Sequence, residues 1–176
     1  MDSFKGGRSL SAINSLLHYY STTYSKTFVV IFGLNFPMNR NYPENNTVIK
    51  IFMDRFTKHL EHKKLRPLYL WVREQASSHN HHYHIMVILD GQKIDHKYKI
   101  MTEAKRIWES IVGVNAIGLV DYRWEPWMIR RDDPNHQQVL DHCLQACRYL
   151  AKEYSKDQTP HGYRNWGSSN LKKLAG

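Results

Sequence analysis

Apolar positions along this chain fall into two rhythms, continuous short runs and helically spaced ones. Thr27 to Leu34 (Thr-Phe-Val-Val-Ile-Phe-Gly-Leu) is unbroken and of strand length, which predicts a buried strand. From Thr47 to Lys63, Val48, Ile51, Phe52, Phe56 and Leu60 recur at helical spacing. Leu68 to Gln75 reads as a second strand and His82 to Leu89 as a third, ended by Asp90-Gly91. The polar link between them, Ala76 to Asn80, is short enough to predict an antiparallel hairpin. Tyr98 to Val112 is helical by period, and Ala116 to Tyr122 reads as a fourth strand. The aromatic segment Tyr122-Arg123-Trp124-Glu125-Pro126-Trp127 then leads to a last helix, about Asn135 to Lys156. Residues 1–25 are a polar, Ser/Thr/Tyr-rich N-terminal segment, with a helix predicted around Ser11 to Tyr20, and residues 26–176 read as one domain.

The order β-α-β-β-α-β-α predicts an α+β protein with a central antiparallel sheet flanked by helices. It is close to the ferredoxin-like, RRM-like split arrangement, with the hairpin of the second and third strands at its centre. A chain of 176 residues is long enough to bury a core without disulfides or a structural metal. Its only cysteines, Cys143 and Cys147, share a helix face and lack the further ligands of a zinc knuckle, so they read as reduced core residues of a cytosolic protein. No apolar run reaches membrane-spanning length, and Met1 to Leu10 has no apolar signal core, so a cytoplasmic location without membrane partners is expected.

Charge narrows the partner. Lys and Arg outnumber Asp and Glu 25 to 16, a formal charge of +9, and eleven Tyr and five Trp are interleaved with them. Cations that track phosphates and rings that stack on bases suit a nucleic-acid binder. Tyr122, Arg123, Trp124 and Trp127, with Arg130 and Arg131 nearby, are the candidates for that contact. Packing over a sheet edge is an equally good account of any one of those rings.

Candidate chemistry begins at His82-Tyr83-His84, where strand alternation puts both imidazoles on one face. Glu74 shares a face with Leu70 and Val72 just before the hairpin link, and folding back brings it beside the histidines. Two imidazoles and a carboxylate suit Mn²⁺ or Mg²⁺, and can also hold Zn²⁺. On the last helix the apolar stripe is Leu140, Cys143, Leu144, Cys147, Leu150, Ala151 and Tyr154, while His142, Gln145, Tyr149, Lys152 and Lys156 lie opposite. Tyr149 with Lys152 one turn on is a candidate nucleophile with a cation to steady its phenolate.

Three elements therefore stand in one order: Arg73-Glu74-Gln75, His82-Tyr83-His84 opening an apolar strand, and Tyr149-Leu150-Ala151-Lys152. This resembles the HUH endonuclease superfamily of rolling-circle replication initiators. With the later Arg164-Asn165-Trp166-Gly167-Ser168-Ser169, it looks most like the inovirus gene-two type replication protein domain, also carried by prophage islands and phage satellites. The similarity covers about residues 25 to 170, with Tyr83 standing where that family usually has an aliphatic residue. The resemblance implies an HUH-type fold with His82, His84 and Glu74 as metal ligands, Tyr149 as nucleophile and Lys152 as its helper. It implies nicking and rejoining of single-stranded or hairpin origin DNA through a 5′-phosphotyrosine, in a bacterial host cell. A partner helicase would unwind the duplex, and a polymerase would extend the freed 3′ end. Two rivals are a relaxase or single-tyrosine transposase of the same superfamily, for which Tyr19, Tyr20 and Tyr24 are N-terminal candidates, and a non-catalytic single-strand binding module.

Overall fold

The computed structural model describes residues 7–75, 80–154 and 161–174, with residues 152–154 described by their backbone alone. In chain order the elements are α1 (Gly7–Thr23), β1 (Lys26–Leu34), α2 (Thr47–His62), β2 (Leu68–Glu74), β3 (His82–Asp90), α3 (Tyr98–Val112), β4 (Val120–Asp121), β5 (Trp127–Arg130), α4 (His136–Tyr154) and β6 (Trp166–Ser168), followed by a 3₁₀ turn at Leu171–Lys173. The strands form one antiparallel sheet in the order β4-β1-β3-β2-β6, with β5 also paired to β1. The fold is thus α+β with a six-stranded antiparallel sheet flanked by four helices. Its β4-β1-β3-β2 core is the split βαββαβ unit, compatible with an HUH-type arrangement. The end of the last helix predicted at Lys156, and the link Ala76 to His79, lie outside the described residues.

Because β1 and β3 are interior, both their faces need cover, which is why they read as nearly continuous apolar runs. On one face, Phe28, Val30 and Phe32 of β1 and Ile85, Val87 and Leu89 of β3 pack under α2 and α3. Phe32 meets Phe52 and Phe56 of α2 edge-on, at centroid distances of 6.4 and 5.8 Å. On the other face, Val29, Ile31, Leu70, Val72, Met86 and Ile88 pack under α1 and α4. Ile13, Leu16, Leu17 and Tyr20 of α1 are buried there, so the N-terminal segment, polar by composition, supplies a helix whose inner stripe is core.

Two expectations need correcting. The fourth strand, predicted over Ala116 to Tyr122, is only Val120–Asp121. Asn115 Oδ1 accepts from the Ile117 amide, Leu119 donates back to the Ala116 carbonyl, and Gly118 sits at φ +74°, so the first half is a turn. The aromatic segment is not simply a lead into the last helix. Residues 122–126 loop away from β1, and the chain then rejoins it as β5, pairing Trp127 with Val29 and Arg130 with Lys26. Pro126 within that excursion has no amide to give a ladder, which helps to break one edge into two short strands.

Candidate metal centre

The register decides what meets what. Glu74 pairs with His82 and Val72 with His84, so Leu70, Val72 and Glu74 on β2 lie on the same sheet face as His82, His84 and Met86 on β3. That is the face under α1 and α4, and the two rows change from apolar to polar at their shared end. Glu74 Oε2 lies 3.2 Å from His82 Nε2 and 2.9 Å from His84 Nε2. One ligand atom from each of the three residues falls within 4.8 Å of the others, so Glu74, His82 and His84 form a group that could hold a metal ion. Bonds of about 2.2 Å require ligand atoms no more than about 4.4 Å apart, and both carboxylate-to-imidazole separations satisfy this. Glu74 is only 8% exposed, and a buried carboxylate needs such compensation.

A cavity of about 140 Å³ opens beside the histidines, lined among others by His82, His84, Asn35, Asp121, Arg123 and Trp124. The excursion between β4 and β5 brings the last two there. Trp124 meets the ring of Tyr149 edge-on at 5.7 Å, and the Arg123 guanidinium lies 5.0 Å from the Tyr149 ring and 5.6 Å from that of Trp124. Tyr149, 40% exposed, is therefore one ring away from the cavity wall. The course of α4 explains the height: it starts where His136 contacts the Arg130 carbonyl, at the Lys26 end of β1, and runs toward the histidines. Cys147 Sγ donates to Met86 Sδ at 3.5 Å, Met86 is two residues from His84 on the same face, and Tyr149 follows Cys147 by about 3 Å of helix rise. Lys152 continues α4, but its side chain lies outside the described residues, as does that of Tyr154. The cation seen against Tyr149 is Arg123, which sequence reasoning had offered only for DNA contact.

The remaining candidates separate cleanly. His81 faces the opposite side of the sheet, 3% exposed, with Nε2 3.0 Å from the Tyr83 hydroxyl and its ring edge-on to Phe36. Burial, then the neighbouring Arg73 and His82 charges, push its pKa down to about 4, so it is a neutral core residue turned away from Glu74, His82 and His84. Tyr83 fills the main core against Trp71 and Phe36, which accounts for a large ring between the two histidines. Trp127 is buried against α4, with Nε1 donating to His142 Nδ1 at 3.3 Å, so it is a core ring and not a stacking platform. Arg131 donates through Nη2 to the Thr22 carbonyl at 2.7 Å and through Nε to the Ser21 carbonyl at 3.4 Å, which caps the end of α1. Tyr122 is exposed under the Lys97 ammonium, and Arg130 is exposed at the end of β5.

Tyr20, an N-terminal alternative, is buried and donates to the Arg66 carbonyl at 2.9 Å. Its hydroxyl is pushed far above the ordinary tyrosine pKa, first by burial and then by the Asp90 charge. Arg66 and Asp90 mark the end of the β2-β3 hairpin opposite Glu74 and His82, about 26 Å away at strand rise. Cys143 and Cys147 are free and buried, and a hydrogen bond with Cys147 and burial raise the Cys143 thiol pKa, as suits reduced core thiols.

Sequence reasoning did not foresee β6. Trp166 and Gly167 pair with Val72 and Trp71, and the Asn165 carbonyl accepts from the Arg73 amide, so the Arg164 to Ser169 segment extends the sheet beside the Glu74 strand. Three residues are too few to carry a strand pattern. Among the described residues no helix is long and apolar enough to cross a membrane.

The family model described as the YagK/YfjJ C-terminal domain matches residues 6–169. No curated protein and no solved structure matches the chain. The family match takes in α1, the whole sheet, Glu74, His82, His84 and Tyr149, and the protein belongs to the YagK/YfjJ C-terminal domain family.

Proposed function

We propose that this protein is a metal-dependent endonuclease of the HUH type, which nicks and rejoins single-stranded DNA through a covalent bond to Tyr149 and thereby starts rolling-circle replication. The observation that carries this reading is the convergence of Glu74, His82 and His84 on the sheet face covered by α4, with Tyr149 joined to the adjoining cavity through Trp124 and Arg123. Glu74, His82 and His84 would hold the ion. A mixed set of one carboxylate and two imidazoles suits Mn²⁺ and Mg²⁺ and is able to take Zn²⁺. When bound, the ion supplies Lewis-acid polarisation of the scissile phosphate and neutralises its charge.

The chain's own residues do the rest. Tyr149 Oη attacks phosphorus as the bond to the 3′ oxygen breaks, and the phenolic proton ends on that oxygen. One P–O bond replaces another, so the 5′-phosphotyrosine retains the energy needed for rejoining. Trp124 fixes the tyrosine ring from its edge, and Arg123 offers a positive charge to the phosphate or the phenolate. The surplus of basic residues supports binding of the DNA backbone, and separation of the strands would fall to a partner helicase. The burial of Tyr20, and the packing of Tyr24 against it and Arg66 at the far end of the hairpin, favour Tyr149 over these two N-terminal tyrosines.

The test is incubation of the full chain with end-labelled single-stranded hairpin DNA and Mn²⁺, followed by denaturing electrophoresis. A protein-linked band is expected for the wild type and for Tyr20→Phe. It is expected to vanish in Tyr149→Phe and in EDTA. Adducts that persist in Tyr149→Phe would overturn the nucleophile assignment, and salt-sensitive DNA binding without any adduct would leave a binding module instead.

A further inference from the structure

The metal cavity has a second carboxylate that the three-residue group does not include. Asp121, on β4, pairs with Gly33, and Gly33 pairs with His84, so Asp121, Gly33, His84 and Val72 form one row across four strands. In a regular sheet every residue of such a row projects its side chain to the same face, so a residue between Asp121 and His84 would separate them. Here the residue between Asp121 and His84 is glycine, and the Asp121 carboxylate takes the space: a Cβ at Gly33 would fall 2.5 Å from Asp121 Oδ1 and 3.3 Å from its Cγ. The three atoms nearest to that Cβ all belong to Asp121, so no other group demands the glycine. Asn35, two residues on, donates from Nδ2 to Asp121 Oδ2 at 3.0 Å and holds the carboxylate in this pose. Asn35, Asp121, His82 and His84 all line the same cavity.

We propose that Asp121, laid across Gly33 and fixed by Asn35, is a positioning residue of the metal centre that supplies its second negative charge from outside the three ligands. The inference rests on the reading of Glu74, His82 and His84 as a metal site. One carboxylate leaves a divalent ion with a net positive charge, and a second at the cavity wall balances it. Outer groups of this kind typically change metal affinity by about 10–100-fold. Gly33 is on this view a sequence requirement of Asp121, since glycine in a strand interior otherwise weakens pairing and leaves a side-chain position empty.

The experiment is calorimetric titration of the full chain with Mn²⁺ alone, on wild type, His84→Ala, Asp121→Asn, Gly33→Ala and Gly33→Ala/Asp121→Asn. Asparagine keeps an oxygen to accept from Asn35, so Asp121→Asn tests charge and not structure, and melting temperatures check that each variant folds. Asp121→Asn is expected to weaken Mn²⁺ binding at least tenfold, with that loss shrinking as ionic strength rises. Gly33→Ala, which evicts the carboxylate, is expected to give a similar loss, and the double variant no more than either single change. Wild-type binding abolished by His84→Ala but unaltered by Asp121→Asn would overturn the role of Asp121 and leave the metal site intact. Multiplying losses in the double variant would do the same, while no Mn²⁺ binding by the wild type would overturn the metal reading itself and this inference with it.

Discussion

His81 lies immediately before β3, and its burial makes a quantitative demand on stability. The ring is 3% exposed, bonded to the Tyr83 hydroxyl and packed on Phe36, and its pKa falls from 6.5 to about 4. A group that holds its proton less tightly when folded makes the unfolded state bind more protons between those two values, so stability falls as pH falls through that window. Above pH 6.5 both states are neutral at His81 and nothing is lost. Between 6.5 and about 4 the loss is about 1.4 kcal/mol per pH unit, and below about 4 it levels off at about 3–4 kcal/mol. The perturbation is His81→Gln, which cannot ionise in this range and keeps an amide to meet the Tyr83 hydroxyl. Urea unfolding of both proteins from pH 7.5 to 4, with EDTA present so that metal release makes no contribution, gives the difference in stability between them. Other titrating groups common to both largely cancel. The expected difference is flat above pH 6.5 and then moves against the wild type by about 2–3 kcal/mol toward pH 4. Parallel curves over the whole range would refute the reasoning, because they would mean that His81 is protonated in the folded protein at no appreciable cost.

Gly167→Ala is expected to destabilise the fold by about 1–3 kcal/mol in thermal or urea melts, because its Cβ would sit 2.7 Å from the Trp71 indole. A melt equal to wild type would mean that β6 can shift away without loss. Trp127→Ala, which empties a buried position between β5 and α4, is expected to cost about 3–5 kcal/mol. Trp124→Ala, by contrast, is expected to cost about 1 kcal/mol in stability. It should nevertheless lower the yield of DNA-linked protein at least tenfold, by freeing the ring of Tyr149. Equal effects of the two tryptophans on folding would contradict their assignment. Tyr20→Phe removes the hydroxyl shared between the Arg66 carbonyl at 2.9 Å and the Leu65 carbonyl at 3.4 Å, and is expected to cost about 1 kcal/mol in urea melts. A loss of several kcal/mol would show that the hydroxyl does more than make those bonds.

The sequence by itself determined whatever depends on period along the chain. Strands β1, β2 and β3 and helices α2 and α3 stand within one residue or so of their predicted ends, because each buries a full face and shows it as an apolar run or a helical stripe. Alternation around His82-Tyr83-His84, with the short hairpin link, was enough to group Glu74 with the two histidines, and helical period was enough to set Tyr149 apart from the core stripe. What only the tertiary structure decided are the matters that depend on neighbours far apart in sequence. The three-residue β6 is too short to carry a pattern and gains its role only from the strand it meets, while α1, legible as a helix, gains its core role from the sheet face it covers. Trp124 and Trp127 look alike in sequence, yet the excursion between β4 and β5 turns one toward the cavity and the next into the core. Arg123 over Tyr149, and Asp121 in the space left by Gly33, are products of the same folding of one broken edge against β1 and α4. A periodic pattern fixes which face a residue takes on its own element, but the partner across that face is chosen by the packing of the whole chain.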